Sequence, residues 1–134
     1  MKARPITLLL AALALLAAGA VCALQPGDWV LARWKGGPYW FPGVVEQRSD
    51  TQLTIAYDDG TRETLAPELV RPYDWRVGSR VQCRWQGGTR WYEGRITAID
   101  RDGVSISVTY ADGDSEQTRT GACRAQQVGP LQPE

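Results

Sequence analysis

The sequence contains no histidine. That absence removes the commonest general base, the usual activator of a nucleophile and the commonest metal ligand together. Charge of one sign is also missing: 15 Lys and Arg balance 15 Asp and Glu, and the arginines are scattered among carboxylates. A nucleic-acid-binding module shows a one-sided basic footprint, so no nucleic-acid partner is expected. Carboxylates remain as candidate acid–base groups. Asp58/Asp59 and Asp112/Asp114, however, stand beside Gly60 and Gly113 in turn-type contexts, where solvated Asp is ordinary turn chemistry. Neither Asp100–Asp102 nor Asp112–Asp114–Glu116 has the spacing of an EF-hand loop. The expectation is a protein without catalysis, cofactor or metal.

Cysteine is scarce, at three residues. Cys22 lies at the end of a segment in which Lys2 and Arg4 precede an apolar run from Ile6 to Ala18, followed by Val21-Cys22-Ala23. This order of charge, short apolar run and small-residue site is that of a secretory signal peptide. Cleavage is expected to leave a chain beginning at Leu24, secreted or periplasmic. Contact with a membrane is expected only through this segment if it stays uncleaved, and lipid on Cys22 is a further alternative. Cys83 and Cys123 then remain, an even number in a small exported chain, which suits a disulfide. Two buried thiols are the other reading.

What the chain does have is a repeat. The run from Gly27 to Gly43 recurs from Gly78 to Gly94 at a constant shift of 51 positions, so that Val30, Arg33, Trp34, Gly36, Gly37, Trp40 and Gly43 meet Val81, Arg84, Trp85, Gly87, Gly88, Trp91 and Gly94. After a two-residue length difference, Tyr57, Asp59, Gly60, Glu63 and Arg71 meet Tyr110, Asp112, Gly113, Glu116 and Arg124. In this alignment Cys83 and Cys123 occupy the positions of Ala32 and Val70, so they look like spatial neighbours in one copy that are jointly replaced in the other.

Periodicity within each copy is two. Val30, Ala32 and Trp34 share one strand face, as do Leu53, Ile55 and Tyr57, and Ile106, Val108 and Tyr110. Turn signals separate the runs at Gly36-Gly37-Pro38, Ser49-Asp50, Asp59-Gly60 and their counterparts. Four to five short strands per copy close most economically as a small bent barrel, and Gly43 and Gly94 inside strand-like runs mark sharp bends. The expected fold is all-β, two tandem barrels after the signal peptide: 1–23 signal, 24–72 first module, 73–77 linker, 78–125 second module and 126–134 flexible tail. Tyr73 and Trp75 make the linker aromatic and able to pack. Trp40 and Trp91, of opposite parity to Trp34 and Trp85, are expected to seal the outer side of a barrel or the contact between modules.

The run Trp-(Lys/Gln)-Gly-Gly-x-x-Trp-(Phe/Tyr)-x-Gly, followed by a strand ending Tyr-x-Asp-Gly-x-x-Glu, resembles Tudor domains and their SH3-like barrel relatives, including the Agenet type, over residues 27–71 and 78–124. The resemblance implies an aromatic cage for a methylated ammonium. Carried over by position, the cage residues are Trp34, Phe41, Tyr57 and Asp59 in the first copy and Trp85, Tyr92, Tyr110 and Asp112 in the second. A methylated ammonium donates few hydrogen bonds, so aromatic faces hold it through the ring quadrupole while a carboxylate supplies countercharge. The same rings are also the largest apolar side chains a small β module has for its core. The implied function is an exported, non-enzymatic reader of a methylated or quaternary ammonium group or peptide. The alternative is a structural cell-envelope adaptor that uses sheet edges and the inter-module groove, with no cage. Either way the expected partner is a protein or peptide.

Overall fold

The computed structural model describes residues 23–126. The expected signal segment, apart from Ala23, and residues 127–134 of the expected tail lie outside the described residues.

The described chain is all-β, with every strand pairing antiparallel. A first half contains β1 (Trp29–Arg33), β2 (Tyr39–Arg48), β3 (Leu53–Tyr57), β4 (Arg62–Leu65) and β5 (Val70–Pro72). A second contains β6 (Arg80–Arg84), β7 (Trp91–Ile99), β8 (Ser105–Tyr110), β9 (Ser115–Arg119) and β10 (Cys123–Gln126). Each half is a four-strand meander whose fifth strand returns to the first: β5 pairs with β1, and β10 with β6. No strand of the meander is exchanged between halves. The last strand is shared instead, because β10 also pairs with β2 through Ala125↔Trp40 and Gln126↔Tyr39. The two curled sheets thereby become one continuous ladder, and Gln126, expected in the flexible tail, is part of it.

Curling is written into the long strands. A Cβ on Gly43 would stand 2.7 Å from the Ala56 carbonyl oxygen, and one on Gly94 would stand 2.8 Å from Val108 Cγ1. Only glycine lets the facing strand approach so closely. A register shift between Val45 and Gln47, and its counterpart between Ile96 and Ala98, adds one residue to the long strand and bends it further.

Alternation buries Leu53, Ile55 and Tyr57 on β3 and Ile106, Val108 and Tyr110 on β8. Strand β1 departs from it: Val30, Leu31 and Ala32 are all fully buried. Val30 and Ala32 face the first half's own core, whereas Leu31, with Trp40 and Trp75, joins the second half's core around Val81, Ile96 and Val108. A strand covered on both faces has no reason to alternate. At the equivalent position the second half has Gln82, whose Nε2 donates to Glu93 and whose Oε1 accepts from Arg124 Nε.

Three further contacts lock the halves together. Thr120, buried at the start of the turn before β10, donates its hydroxyl to Asp58 Oδ2 at 2.6 Å. Gly121 lies against the Asp58 backbone so closely that a Cβ would come within 2.9 Å of its carbonyl oxygen. The Trp29 ring sits on Gly103, where no Cβ would fit. Trp29 also meets Tyr73 edge-on at 5.5 Å, and Tyr73 meets Trp75, so the connecting segment packs as its aromatic content suggests. Cys83 and Cys123 are directly opposed on β6 and β10 and joined by a disulfide. Ala32 and Val70 are opposed in the same way on β1 and β5.

Candidate functional site

At one end of each half, the turn after the first strand meets the turn after the third. Trp34 and Trp85 do not end the strands, as their parity suggests, but begin short 3-10 turns at Trp34–Gly36 and Trp85–Gly87. The next residue in each turn is left-handed without being glycine, Lys35 and Gln86 both at φ 52°. Such a backbone costs about 1–2 kcal/mol, and one carboxylate in each half offsets it. Glu63 accepts the Lys35 amide N–H at 3.1 Å and the Tyr57 hydroxyl at 2.7 Å. Glu116 does the same for the Gln86 amide and the Tyr110 hydroxyl.

Each carboxylate therefore ties the Trp-bearing turn to the Tyr that closes the third strand. Burial, reinforced by the facing carboxylate, holds both phenols above the ordinary tyrosine range, so they remain neutral donors. These glutamates recur in the repeat alignment, but the sequence gives no sign of their clamping role beyond their fixed spacing from Tyr.

In the second half, Trp85 and Tyr92 each stand edge-on to Tyr110, with ring centres 5.8 and 6.3 Å away. Together with Glu93, Ala111, Asp112 and Asp114 they line an open cavity of about 280 Å³. The four residues expected there, Trp85, Tyr92, Tyr110 and Asp112, thus lie around one space, and Glu93 and Asp114 add carboxylates that the motif does not specify. Among the described residues no group of three His, Cys, Asp or Glu is placed to hold a metal ion.

In the first half, Trp34 and Phe41 stand edge-on to Tyr57 at 5.6 and 6.4 Å. With Asp59 and Thr61 they line a cavity of about 290 Å³, which is completed from the second half by Arg84, Trp91 and Arg124. Trp91 packs edge-on to Phe41 at 6.1 Å, so this tryptophan lies at the contact between halves. The Arg84 and Arg124 guanidiniums stand 4.6 and 4.1 Å from the centre of the Trp91 ring, and the Lys35 ammonium stands 5.4 Å from that of Trp34. Trp40 is buried in the joint core under the Arg71 guanidinium. The two mouths share a Trp–Tyr pair but differ in the third ring, Phe41 against Tyr92, and in charge: Glu93, Asp112 and Asp114 edge the second, whereas Arg84 and Arg124 join Asp59 and the added Trp91 ring at the first.

No protein-family model matches the sequence, and no curated protein matches it. Among solved structures the chain is similar to tandem Agenet domains, the type its motifs resemble. One is the ADCP1 tandem Agenet domain 3-4, at 15% identity and a TM-score of 0.34, covering 82% of this chain and 84% of that one. Another is AGD34 of AGDP1 from Arabidopsis thaliana, at 14% identity and a TM-score of 0.36, covering 82% of this chain and 86% of that one.

Proposed function

We propose that the protein is a non-enzymatic binding module, two tandem SH3-like barrels in one unit, that captures a methylated or quaternary ammonium group of a protein or peptide at its second mouth. One observation carries this reading: Trp85, Tyr92 and Tyr110 surround a cavity whose remaining charged lining is Glu93, Asp112 and Asp114. Each ring contributes about 0.5–2 kcal/mol toward a desolvated cation, and the carboxylates add countercharge without needing N–H donors from the ligand. Tyr92 is 44% exposed, which leaves its ring available to a ligand. The apolar leading segment and the disulfide support an extracytoplasmic address, which an intact mass beginning at Leu24 would test.

The binding experiment is titration with tetramethylammonium, read on the tryptophan indole signals. The expected result is a shift at Trp85 and none at Trp34. Asp112→Asn, on an exposed turn, should weaken binding by about 1 kcal/mol because it removes charge and keeps shape. Trp85→Ala should abolish binding. An unchanged Trp85 signal at saturating ligand would remove the reading and leave the adaptor function, with no cage, as the better account.

A further inference from the structure

The first mouth carries the cage rings but not the electrostatics of a cage. Its outer wall is contributed by β6, β7 and β10 of the second half, and that wall brings two guanidiniums. The Arg84 side chain is exposed and has no hydrogen-bond or ion-pair partner among the described residues; its guanidinium lies over the Trp91 ring. Arg124 is fixed more firmly, with its guanidinium 3.4 Å from the centre of the Tyr39 ring and 4.1 Å from that of Trp91, and its Nε donating to Gln82 Oε1 at 2.9 Å.

The carboxylates that act on this pair are Asp59, in the lining of the same cavity, and Glu93, which acts on Arg124 from the second mouth. Asp59 already accepts the Thr61 amide and hydroxyl at 3.0 and 2.7 Å, which holds it in its own turn. The Lys35 ammonium over Trp34 adds a third positive group at the rim. A cation entering here would meet like charge on two sides.

We infer that the first mouth is a composite acceptor for a carboxylate carried on an apolar body, the chemistry of a peptide's free C-terminal end at an apolar residue. Trp34, Phe41, Tyr57 and Trp91 provide the apolar walls, and Arg84 and Arg124 present the planar donor forks that match a carboxylate edge-on. Asp59 in the same lining weighs against a dianion such as a phosphate ester. The site exists only when both halves are in place, because neither contains the rings and the guanidiniums together. Glu93 lines the second mouth and also acts on Arg124, so the two tests are kept apart by their reporters: Trp34 and Trp91 for this site, Trp85 for the ammonium reading.

The test compares N-acetylphenylalanine, N-acetylphenylalanine amide and phenyl phosphate, read on the indole signals of Trp34, Trp91 and Trp85. The acid should shift Trp34 and Trp91 and spare Trp85, while the amide should bind at least about tenfold more weakly, the loss expected for one charge-assisted contact. Phenyl phosphate should bind more weakly than the acid. Arg84→Gln should weaken the acid about tenfold and leave the amide unchanged, with Arg84→Lys falling between. Because the Arg84 side chain is exposed and makes no hydrogen bond or ion pair among the described residues, the variant should melt close to the wild-type temperature. Equal binding of acid and amide, tighter binding of phenyl phosphate, a shift confined to Trp85 or no shift at all would each overturn the proposal.

Discussion

The two halves are built from one repeated motif, and their differences concentrate where they touch. In the first half the strand pair β1–β5 opposes Ala32 and Val70; in the second, β6–β10 opposes Cys83 and Cys123 and links them covalently. Leu31 in the first half is buried by its neighbour, whereas Gln82 in the second stays in a polar network with Glu93 and Arg124. Duplicate modules that remained separate would keep equivalent surfaces equivalent. Here one copy turns a strand face and the rim of its aromatic cavity toward the other, and the charge lining that cavity differs from its counterpart's.

The most severe way to break the comparison is to give the second half the first half's pair. The double variant Cys83→Ala with Cys123→Val should lose about 2–4 kcal/mol in urea unfolding, since the bond closes a separation of 40 residues and restricts the unfolded chain. Hydrogen exchange should accelerate on β6 and β10 and also at Tyr39 and Trp40 of β2, because β10 pairs with both strands. Acceleration confined to the second half would show that the shared strand does not couple them.

A smaller effect tests the seam at Trp29. Gly103→Ala should cost about 1–3 kcal/mol by overpacking against the Trp29 ring. Gly113→Ala, at φ +95° but with nothing within 4 Å of the added carbon, should cost less. Equal losses in thermal melts would mean that the ring moves aside without penalty.

The smallest effect concerns Asp58. Loss of water around its carboxyl raises its pKa above the ordinary 3.8, against the lowering effects of the Thr120 hydroxyl and Arg119, while Asp59 pushes it further up. An acid raised on folding binds its proton more readily in the native state. Its contribution to stability is therefore fully present below pH 3.8 and declines as the pH rises through the native value. Asp58→Asn should keep the Thr120 contact and flatten this part of the pH–stability curve. An unchanged slope between pH 3 and 6 would show that the seam does not sense this charge.

Much of this was legible because it is local. Period-two burial at Leu53, Ile55 and Tyr57 and the bends at Gly43 and Gly94 follow from spacing within one copy, and the Cys83–Cys123 neighbourhood follows from aligning one copy on the other. Positional carry-over also names Trp34, Phe41, Tyr57 and Asp59 in the first cavity and Trp85, Tyr92, Tyr110 and Asp112 in the second, but not Trp91, Glu93 or Asp114. What was not legible depends on how two similar copies meet. Burial of Leu31 cannot be read from β1, since its partner surface lies some fifty positions away in sequence. The guanidiniums at the first mouth come from residues whose counterparts, Arg33 and Arg71, serve Trp40 instead. The clamping by Glu63 and Glu116 depends on a left-handed backbone at Lys35 and Gln86, which residue type alone does not announce.

Strand β10 also sets an order of events. Its four residues complete the second sheet, supply one end of the covalent bond and form the seam with β2. A chain that emerges N-terminus first has every strand of its first half once residue 72 is available, while the second half must wait for residue 126. During that interval Tyr39 and Trp40 present an unpaired strand edge, and Cys83 is a thiol without its mate. Exposed edges are where wrong pairing begins. The seam with β2 and the closure of the second sheet therefore both wait on β10, and until it is delivered neither can form.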